Sequence, residues 1–134
     1  MPSISDNDLI KAACAVSANA VSPYSKIRVG AALRTKDGSV VSGANVESAS
    51  YGLTCCAERI ALFAALSLGH REFTEIALVS SVTPKLLPCG ACRQLLSEYA
   101  GGIRIQVASL DNLQEIDEYD IAQLMPLPLT DLPE

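Results

Sequence analysis

The chain has 134 residues, of which 49% are hydrophobic and 19% charged, and it carries a formal net charge of −5. This length predicts a single domain spanning residues 1–134, and the low charged fraction favours a homo-oligomer that buries additional surface. The acidic balance argues against a nucleic-acid partner, because binding phosphates needs clustered Lys and Arg. A small neutral substrate fits this composition better.

The sequence shows no sign of a membrane or secretory segment. The stretch from Met1 to Asp6 lacks the basic and apolar regions of a signal peptide, and the longest apolar run, Ile60 to Leu68, is too short to span a bilayer. We therefore expect a cytoplasmic protein with no membrane partner. The five cysteines are expected to be thiols and metal ligands rather than a disulfide framework.

The N-terminal part of the chain predicts a helix followed by a hairpin. Ser5 and Asp8 stand in capping positions before an alanine-rich helix that ends near Val21, and Cys14 within it is expected in the core. Two strand-like runs follow, on either side of a turn that contains Asp37-Gly38. These runs are Val29 to Thr35 and Val40 to Val46, and their small residues leave room for a closely packed helix.

The remaining elements alternate between helix and strand. Helices are predicted from about Cys56 to a stop at Gly69, from Cys89 to about Tyr99, and from Tyr119 to Met125. Strands are predicted at Ile76 to Ser81 and at Ile103 to Val107. This order predicts an α/β fold in which helices cover a mixed sheet.

Two short cysteine-bearing stretches carry the strongest functional signal. Taken alone, Cys89 and Cys92 fit a redox pair, half of a structural zinc site, or two buried thiols. With Cys56, Glu58 and Pro88 they complete the spacing C-x-E…P-C-x-x-C, which is the known signature of zinc-dependent nucleobase deaminases.

This donor set suits hydrolysis. Three cysteine ligands, Cys56, Cys89 and Cys92, leave the fourth position of a tetrahedral zinc open to water, as in catalytic sites. Glu58 is then the predicted catalytic residue, which moves a proton from the water to the substrate and later to the leaving amine. Its alternative role is that of an ordinary first-turn residue favoured by the helix dipole.

Residues beside the motif have predicted supporting roles. Three thiolates overcompensate a divalent cation, so Arg59 and Arg93 are expected to donate hydrogen bonds to the sulfurs. The alternative for each arginine is an ordinary charge at the surface or core edge. Cys55 is expected to be a spectator, because two adjacent cysteines rarely reach one tetrahedral ion, and His70 is expected at the surface.

Several stretches together form a denser pattern than the zinc motif alone: Tyr24-Ser25-Lys26, Val29-Gly30-Ala31-Ala32, Gly43 to Thr54, Cys56-Ala57-Glu58-Arg59 and Pro88 to Gln94. In these stretches, and from about Tyr24 to Met125, the sequence resembles the small homotetrameric cytidine deaminase family.

The resemblance implies a three-layer α/β/α sandwich with a mixed five-stranded sheet and one Zn²⁺ per subunit. It implies a homotetramer whose pockets are shared between subunits. The implied activity is the hydrolytic deamination of cytidine and deoxycytidine to uridine and deoxyuridine, with release of ammonia, in pyrimidine salvage.

The resemblance also implies substrate contacts. Asn45 and Glu47 match the family's ribose-binding pair, and an amide and a carboxylate can together satisfy a buried hydroxyl. Tyr51 matches a tyrosine presented toward a neighbouring subunit's substrate. Ala57 would offer backbone groups to the base, and Ile27 would form a wall of the base pocket.

Two positions depart from the family pattern. Ile27, followed by Arg28, stands where a phenylalanine usually stacks on the pyrimidine, and Leu127-Pro128-Leu129 stands where another usually closes a neighbour's pocket. A stacking contact contributes about 1 to 3 kcal/mol per base. The main rival function is therefore deamination of a different aminated nucleoside, such as a cytosine-nucleoside antibiotic of the blasticidin type.

Two further readings come from other functional classes. A structural zinc in a binding module needs a fourth protein ligand, and Cys55, Cys14 and His70 are poorly placed to provide it. A thioredoxin-like redox pair leaves Cys56 and Glu58 without a role.

Overall fold

The structure, a computed structural model, describes residues 4–130, with side chains from residue 8 onward. Its elements in chain order are α1 (Ile4–Ser17), β1 (Val29–Thr35), β2 (Val40–Ala44), a short 3-10 helix (Tyr51–Leu53), α2 (Ala57–Ser67), β3 (Phe73–Ser80), α3 (Gly90–Tyr99), β4 (Arg104–Ser109), β5 (Asn112–Asp120) and α4 (Ile121–Leu124). No helix in this part of the chain has both the length and the apolar character that crossing a membrane requires.

The five strands form one mixed sheet in the order β2-β1-β3-β4-β5. Strands β3 and β4 run parallel, because α3 carries the chain back between them, and every other neighbouring pair is antiparallel. The centre of the sheet is buried on both faces, which explains why β3 is a continuous apolar run from Ile76 to Val79. The predicted mixed five-stranded sheet is confirmed.

Helices cover both faces of the sheet. Helix α1 buries Leu9 and Ala13 against one face, in a cluster that includes Ala32 of β1. Helices α2 and α3 bury Leu62 and Leu96 in the larger cluster on the opposite face. These layers form the α/β/α sandwich that the resemblance implies.

Two glycines let helices lie directly on strands. A Cβ at Gly30 would lie 1.9 Å from the carbonyl oxygen of Ala13 in α1, and a Cβ at Gly43 would lie 2.7 Å from the amide nitrogen of Ala61 in α2. The small residues of the hairpin therefore accommodate the following helix, as predicted, and also the preceding one.

Gly43→Ala is expected to destabilise the protein by about 1 to 3 kcal/mol, because the new methyl group forces α2 away from β2. Urea unfolding followed by circular dichroism measures this loss. Gly52→Ala is the matched control, since nothing lies within 4 Å of a Cβ at that position. Equal stability of the two variants would show that α2 does not sit this close to the sheet.

Both predicted ends of the first helix are wrong. Helix α1 ends at Ser17, not near Val21, and Asp8 lies inside it instead of capping it; the side chain of Ser5 lies outside those described. The hydroxyl of Ser17 donates to the carbonyl of Cys14 at the last turn.

Strand β5 was missed, and the final helix is shorter than predicted. Residues 112–120 carry four carboxylates and only half-buried apolar side chains, so this edge strand has little strand-like pattern. The helix predicted from Tyr119 to Met125 is restricted to Ile121–Leu124, where Gln123 accepts a hydrogen bond from the backbone N–H of Asp120.

Candidate active site

The three predicted metal ligands lie at the starts of two neighbouring helices. Cys56 is the N-cap residue of α2, Cys89 is the N-cap residue of α3, and Cys92 lies in the first turn of α3. The unpaired N–H groups and the dipole of a helix N-terminus favour a negative charge. This arrangement therefore favours thiolates at the places where a metal would need them.

The distances between the sulfurs suit a single small ion. The Sγ atoms of Cys56 and Cys89 are 3.7 Å apart, those of Cys89 and Cys92 are 3.3 Å apart, and all three lie within 4.8 Å of one another. Zn–S bonds of about 2.3 Å in a tetrahedron separate the sulfurs by roughly 3.8 Å. The thiol cluster thus fits Zn²⁺ in both chemistry and spacing.

The thiol cluster concentrates negative charge on one sulfur. Hydrogen bonding from Cys92, followed by that from Arg59 and Cys89, lowers the pKa of Cys56 to about 5 despite its partial burial. The pKa of Cys92 is correspondingly raised, because its thiol proton is held by Cys56. Cys56 therefore forms a thiolate more easily than Cys92.

The two arginines of the motifs have different partners. Arg59 Nη2 donates to Cys56 Sγ at 3.5 Å and to the carbonyl of Thr54 at 3.4 Å, and the hydrogen bond to Cys56 raises the pKa of its guanidinium group. Arg93 instead donates to the carbonyls of Pro88, at 2.7 Å, and Leu124, at 3.2 Å. The structure brings Arg59 to a sulfur, whereas Arg93 ties α4 to the loop before α3.

Glu58 is buried beside the thiol cluster in the first turn of α2, with only 5% of its surface exposed. Burial raises the pKa of its carboxyl group to about 7, and the negative charge of Cys56 acts in the same direction. A carboxyl group with this pKa can both accept and release a proton near neutral pH. This property suits a residue that carries protons.

The thiol cluster opens into a cavity of about 320 Å³, within the size range of small-molecule sites. One end of the cavity is formed by Cys56, Glu58 and Cys89, together with Ala57 and Cys55. The walls are aliphatic, from Ile27, Val29, Leu78, Leu86 and Leu87, and a further part of the lining, which we call the polar end, comes from Ser25, Asn45 and Glu47.

At the polar end of the cavity, the side chains of Asn45 and Glu47 form hydrogen bonds with backbone groups. The amide of Asn45 accepts from the N–H of Val29 and donates to the carbonyl of Ile27, each at 2.9 Å. Glu47 accepts hydrogen bonds from Tyr24 and Ser25, and the Ser25 hydroxyl is the main cause of its lowered pKa. Glu47 therefore remains charged at neutral pH.

Other predicted residues lie around this cavity or away from it. Tyr51 is 79% exposed and lines a shallower neighbouring pocket that shares Glu47. Leu127 is 91% exposed on the C-terminal tail.

The other cysteines and the histidine lie outside the thiol cluster. Cys55 lines the cavity, and half-buried His70 lies in a separate polar pocket. Cys14 is partly buried and packs against the α1 cluster.

Sequence reasoning gave no role in the site to several residues that line the cavity, namely Ser25, Val29, Thr54, Leu78, Leu86 and Leu87. Leu86 and Leu87 precede the second cysteine motif directly, and this exposed apolar pair was the available signal. Ser25 was noted only as part of the resemblance, because a serine in a loop gives no functional signal until its partners are known.

The fold and the site together define an α/β protein with a three-cysteine metal centre at the end of a small-molecule cavity. Residues 3–108 match the family described as the cytidine and deoxycytidylate deaminase zinc-binding region. The chain belongs to this family, and Zn²⁺ is therefore the cofactor that the thiol cluster is suited to hold.

Individual relatives agree with this assignment. The chain is 46% identical to a cytidine deaminase of Halalkalibacterium halodurans, over 88% of this chain and 89% of the relative. The crystal structure of cytidine deaminase from Burkholderia pseudomallei aligns with a TM-score of 0.87 and 41% identity, covering 92% of this chain and 98% of that one. A blasticidin-S deaminase of Bacillus cereus is 34% identical, over 78% and 79% of the two chains.

Proposed function

We propose that this protein is a zinc-dependent cytidine deaminase, which hydrolyses cytidine and deoxycytidine to uridine and deoxyuridine and releases ammonia. The observation that carries this proposal is the convergence of three thiols with the buried carboxyl group of Glu58 at a cavity that polar side chains also line. The names of the relatives support the same substrate class.

The residues of the cluster divide the chemistry between them. Cys56, Cys89 and Cys92 hold Zn²⁺, which when bound lowers the pKa of water enough for attack at neutral pH. Glu58 takes one proton from the attacking water and delivers it to a ring nitrogen of the base. It then takes the second proton, from the hydroxyl group that has added to the base, and passes it to the leaving amine. Its pKa of about 7 supports both directions of transfer.

The remainder of the cavity orients the nucleoside. Asn45 and Glu47 bind the ribose hydroxyls, and backbone groups of Ala57 recognise the base. The aliphatic side chain of Ile27 contacts the face of the base and excludes water from it. Arg59 neutralises part of the charge of the sulfurs by its contact with Cys56, and Arg93 acts indirectly by holding the loop before Cys89.

We further propose a single-domain subunit, residues 1–134, that works in the cytoplasm as a homotetramer in pyrimidine salvage. Tyr51 and Leu53 are both exposed on the short 3-10 helix and support an assembly in which subunits share their pockets, since adjoining exposed apolar side chains mark protein–protein contacts.

Ile27→Phe is expected to tighten cytidine binding, because an aromatic ring at this wall can stack on the pyrimidine. Stacking on an aromatic contributes about 1 to 3 kcal/mol, so KM should fall roughly tenfold. Steady-state kinetics with cytidine measure this change. Leu68→Phe, at an exposed position after α2, is the matched control and should leave KM unchanged. An unchanged KM in Ile27→Phe would show that this wall does not contact the base.

A second candidate function is deamination of a different aminated nucleoside, including an antibiotic of the blasticidin type. The aliphatic wall at Ile27 and the likeness to a blasticidin-S deaminase favour it. The retained Asn45 and Glu47 favour an ordinary ribose and hence cytidine.

The test is a competition assay that follows deamination by mass spectrometry. The zinc-loaded protein is offered cytidine, deoxycytidine, blasticidin S and other aminated nucleosides together. Preferential conversion of cytidine and deoxycytidine supports the proposal, whereas preference for another substrate with cytidine nearly untouched refutes it. X-ray absorption adds an independent test, because a structural zinc would show four sulfur ligands instead of three sulfurs and one light atom.

A further inference from the structure

We propose that Ser25 is a positioning residue that sets the direction of the Glu47 carboxylate and links it to the wall formed by Ile27. This inference rests on the proposed function, since it concerns how the same cavity holds the sugar of its substrate. Ser25 acts through its neighbours and makes no step of the reaction itself.

The hydroxyl of Ser25 bridges the two parts of the cavity. It donates a hydrogen bond to Glu47 Oε2 and accepts one from the backbone N–H of Ile27 at 3.0 Å. Among the described residues, Ser25 is the one whose side chain contacts both the carboxylate at the polar end and the backbone of the aliphatic wall. Losing it would release both contacts at once.

The hydrogen-bonding capacity of Glu47 shows why the bridge matters. Its Oε1 atom already accepts from the backbone N–H groups of Tyr24, at 3.1 Å, and Ser25, at 3.0 Å. A carboxylate oxygen has two lone pairs, so Oε1 is fully used and only Oε2 retains an acceptor position. Because Ser25 binds Oε2, it fixes where that remaining acceptor points for a sugar hydroxyl.

The backbone of this segment needs such a restraint. Lys26, between Ser25 and Ile27, has a φ of 64°, in the left-handed region that non-glycine residues rarely adopt. Asn45 holds the far side of the segment through Ile27 and Val29, and Ser25 and Glu47 hold the near side. The backbone at Ile27 is therefore held on both sides by residues of the polar end.

Ser25→Ala is expected to raise the KM for cytidine about tenfold, the usual effect of removing a hydrogen bond to a charged group. Its kcat should stay within about twofold, because the thiol cluster and Glu58 lie on other elements. Ser25→Thr keeps the hydroxyl and should restore the KM. Ser42→Ala, at an exposed position on β2, is the matched control.

A double-mutant cycle with Glu47→Ala tests the route of the effect. If Ser25 acts mainly through Glu47, then adding Ser25→Ala to Glu47→Ala should raise KM by clearly less than tenfold, because only the contact with the backbone of Ile27 remains to be lost. A tenfold loss that persists in the Glu47→Ala background would overturn the proposal. So would an unchanged KM in Ser25→Ala, or a fall in kcat with KM unchanged.

A measurement that does not depend on turnover distinguishes this inference from the proposed function. The pKa of the Glu47 carboxyl group, followed by carbon NMR, should rise in Ser25→Ala and remain low in Ser25→Thr, since the hydroxyl stabilises the charged form. A Glu47 pKa that is the same in Ser25→Ala and wild type would refute the positioning role. Absence of cytidine turnover in the wild type, with the NMR shift present, would instead refute the proposed function alone.

Discussion

Glu58→Gln is expected to lower the kcat for cytidine by at least about 10³-fold, while zinc content and the Kd for cytidine stay close to wild-type values. Glutamine preserves the size of the side chain but cannot exchange a proton, and positioned acid–base groups typically contribute 10²- to 10⁴-fold. A loss toward the upper end is expected, because Glu58 serves both the attack and the departure of the amine.

Three measurements on purified Glu58→Gln protein check this expectation: elemental analysis for zinc, calorimetry for cytidine binding, and ammonia release for turnover. Glu72→Gln is a suitable control. Glu72 is an exposed carboxylate that pairs with Lys36 at 3.2 Å, and it does not line the cavity. Wild-type turnover in the glutamine variant would remove Glu58 from its assigned role. Loss of zinc would mean that Glu58 holds the metal.

Cys89→Ala is expected to lose both bound zinc and all measurable turnover, because two remaining thiols are too few for a stable tetrahedral site. The protein should also lose the stabilisation that a metal bound only to the folded state provides. Added Zn²⁺ should therefore raise the Tm of the wild type and leave the Tm of Cys89→Ala unchanged.

Cys14→Ala provides the matched comparison for that experiment. Cys14 is a partly buried thiol on α1, outside the thiol cluster, so its removal should alter packing slightly and leave the zinc response intact. Stoichiometric zinc in Cys89→Ala after dialysis would show that the metal is held elsewhere. A loss of the zinc response in Cys14→Ala would show that the Tm shift does not report on the cluster.

The helix starts at the metal centre could be predicted because the local pattern is strong. Apolar residues at helical spacing follow Cys56 and Cys89, and Gly69 adopts a φ of 98° after α2, as a glycine helix stop does. The motif spacing allowed the two helix starts to converge on one ion but did not fix their geometry, which the distances between the sulfurs supply.

Features that depend on tertiary partners could not be predicted in the same way. Strand β5 is acidic and half exposed, and its identity as a strand comes from pairing with β4. Arg93 stands next to Cys92 in sequence, but its position on α3 directs the guanidinium to the carbonyls of Pro88 and Leu124. The bridging role of Ser25 needed the distance to Glu47, which lies 22 residues away in sequence.

The path of the chain between the cysteines affects when the zinc site can form during folding. Cys56 and Cys89 are 33 residues apart, and the intervening chain includes β3, which pairs with both β1 and β4. The central strand holds the two helix starts that carry these sulfurs on one face of the sheet, so we expect the native zinc site to form together with the sheet. The rate of zinc uptake during refolding would then measure how fast β3 is inserted into the sheet.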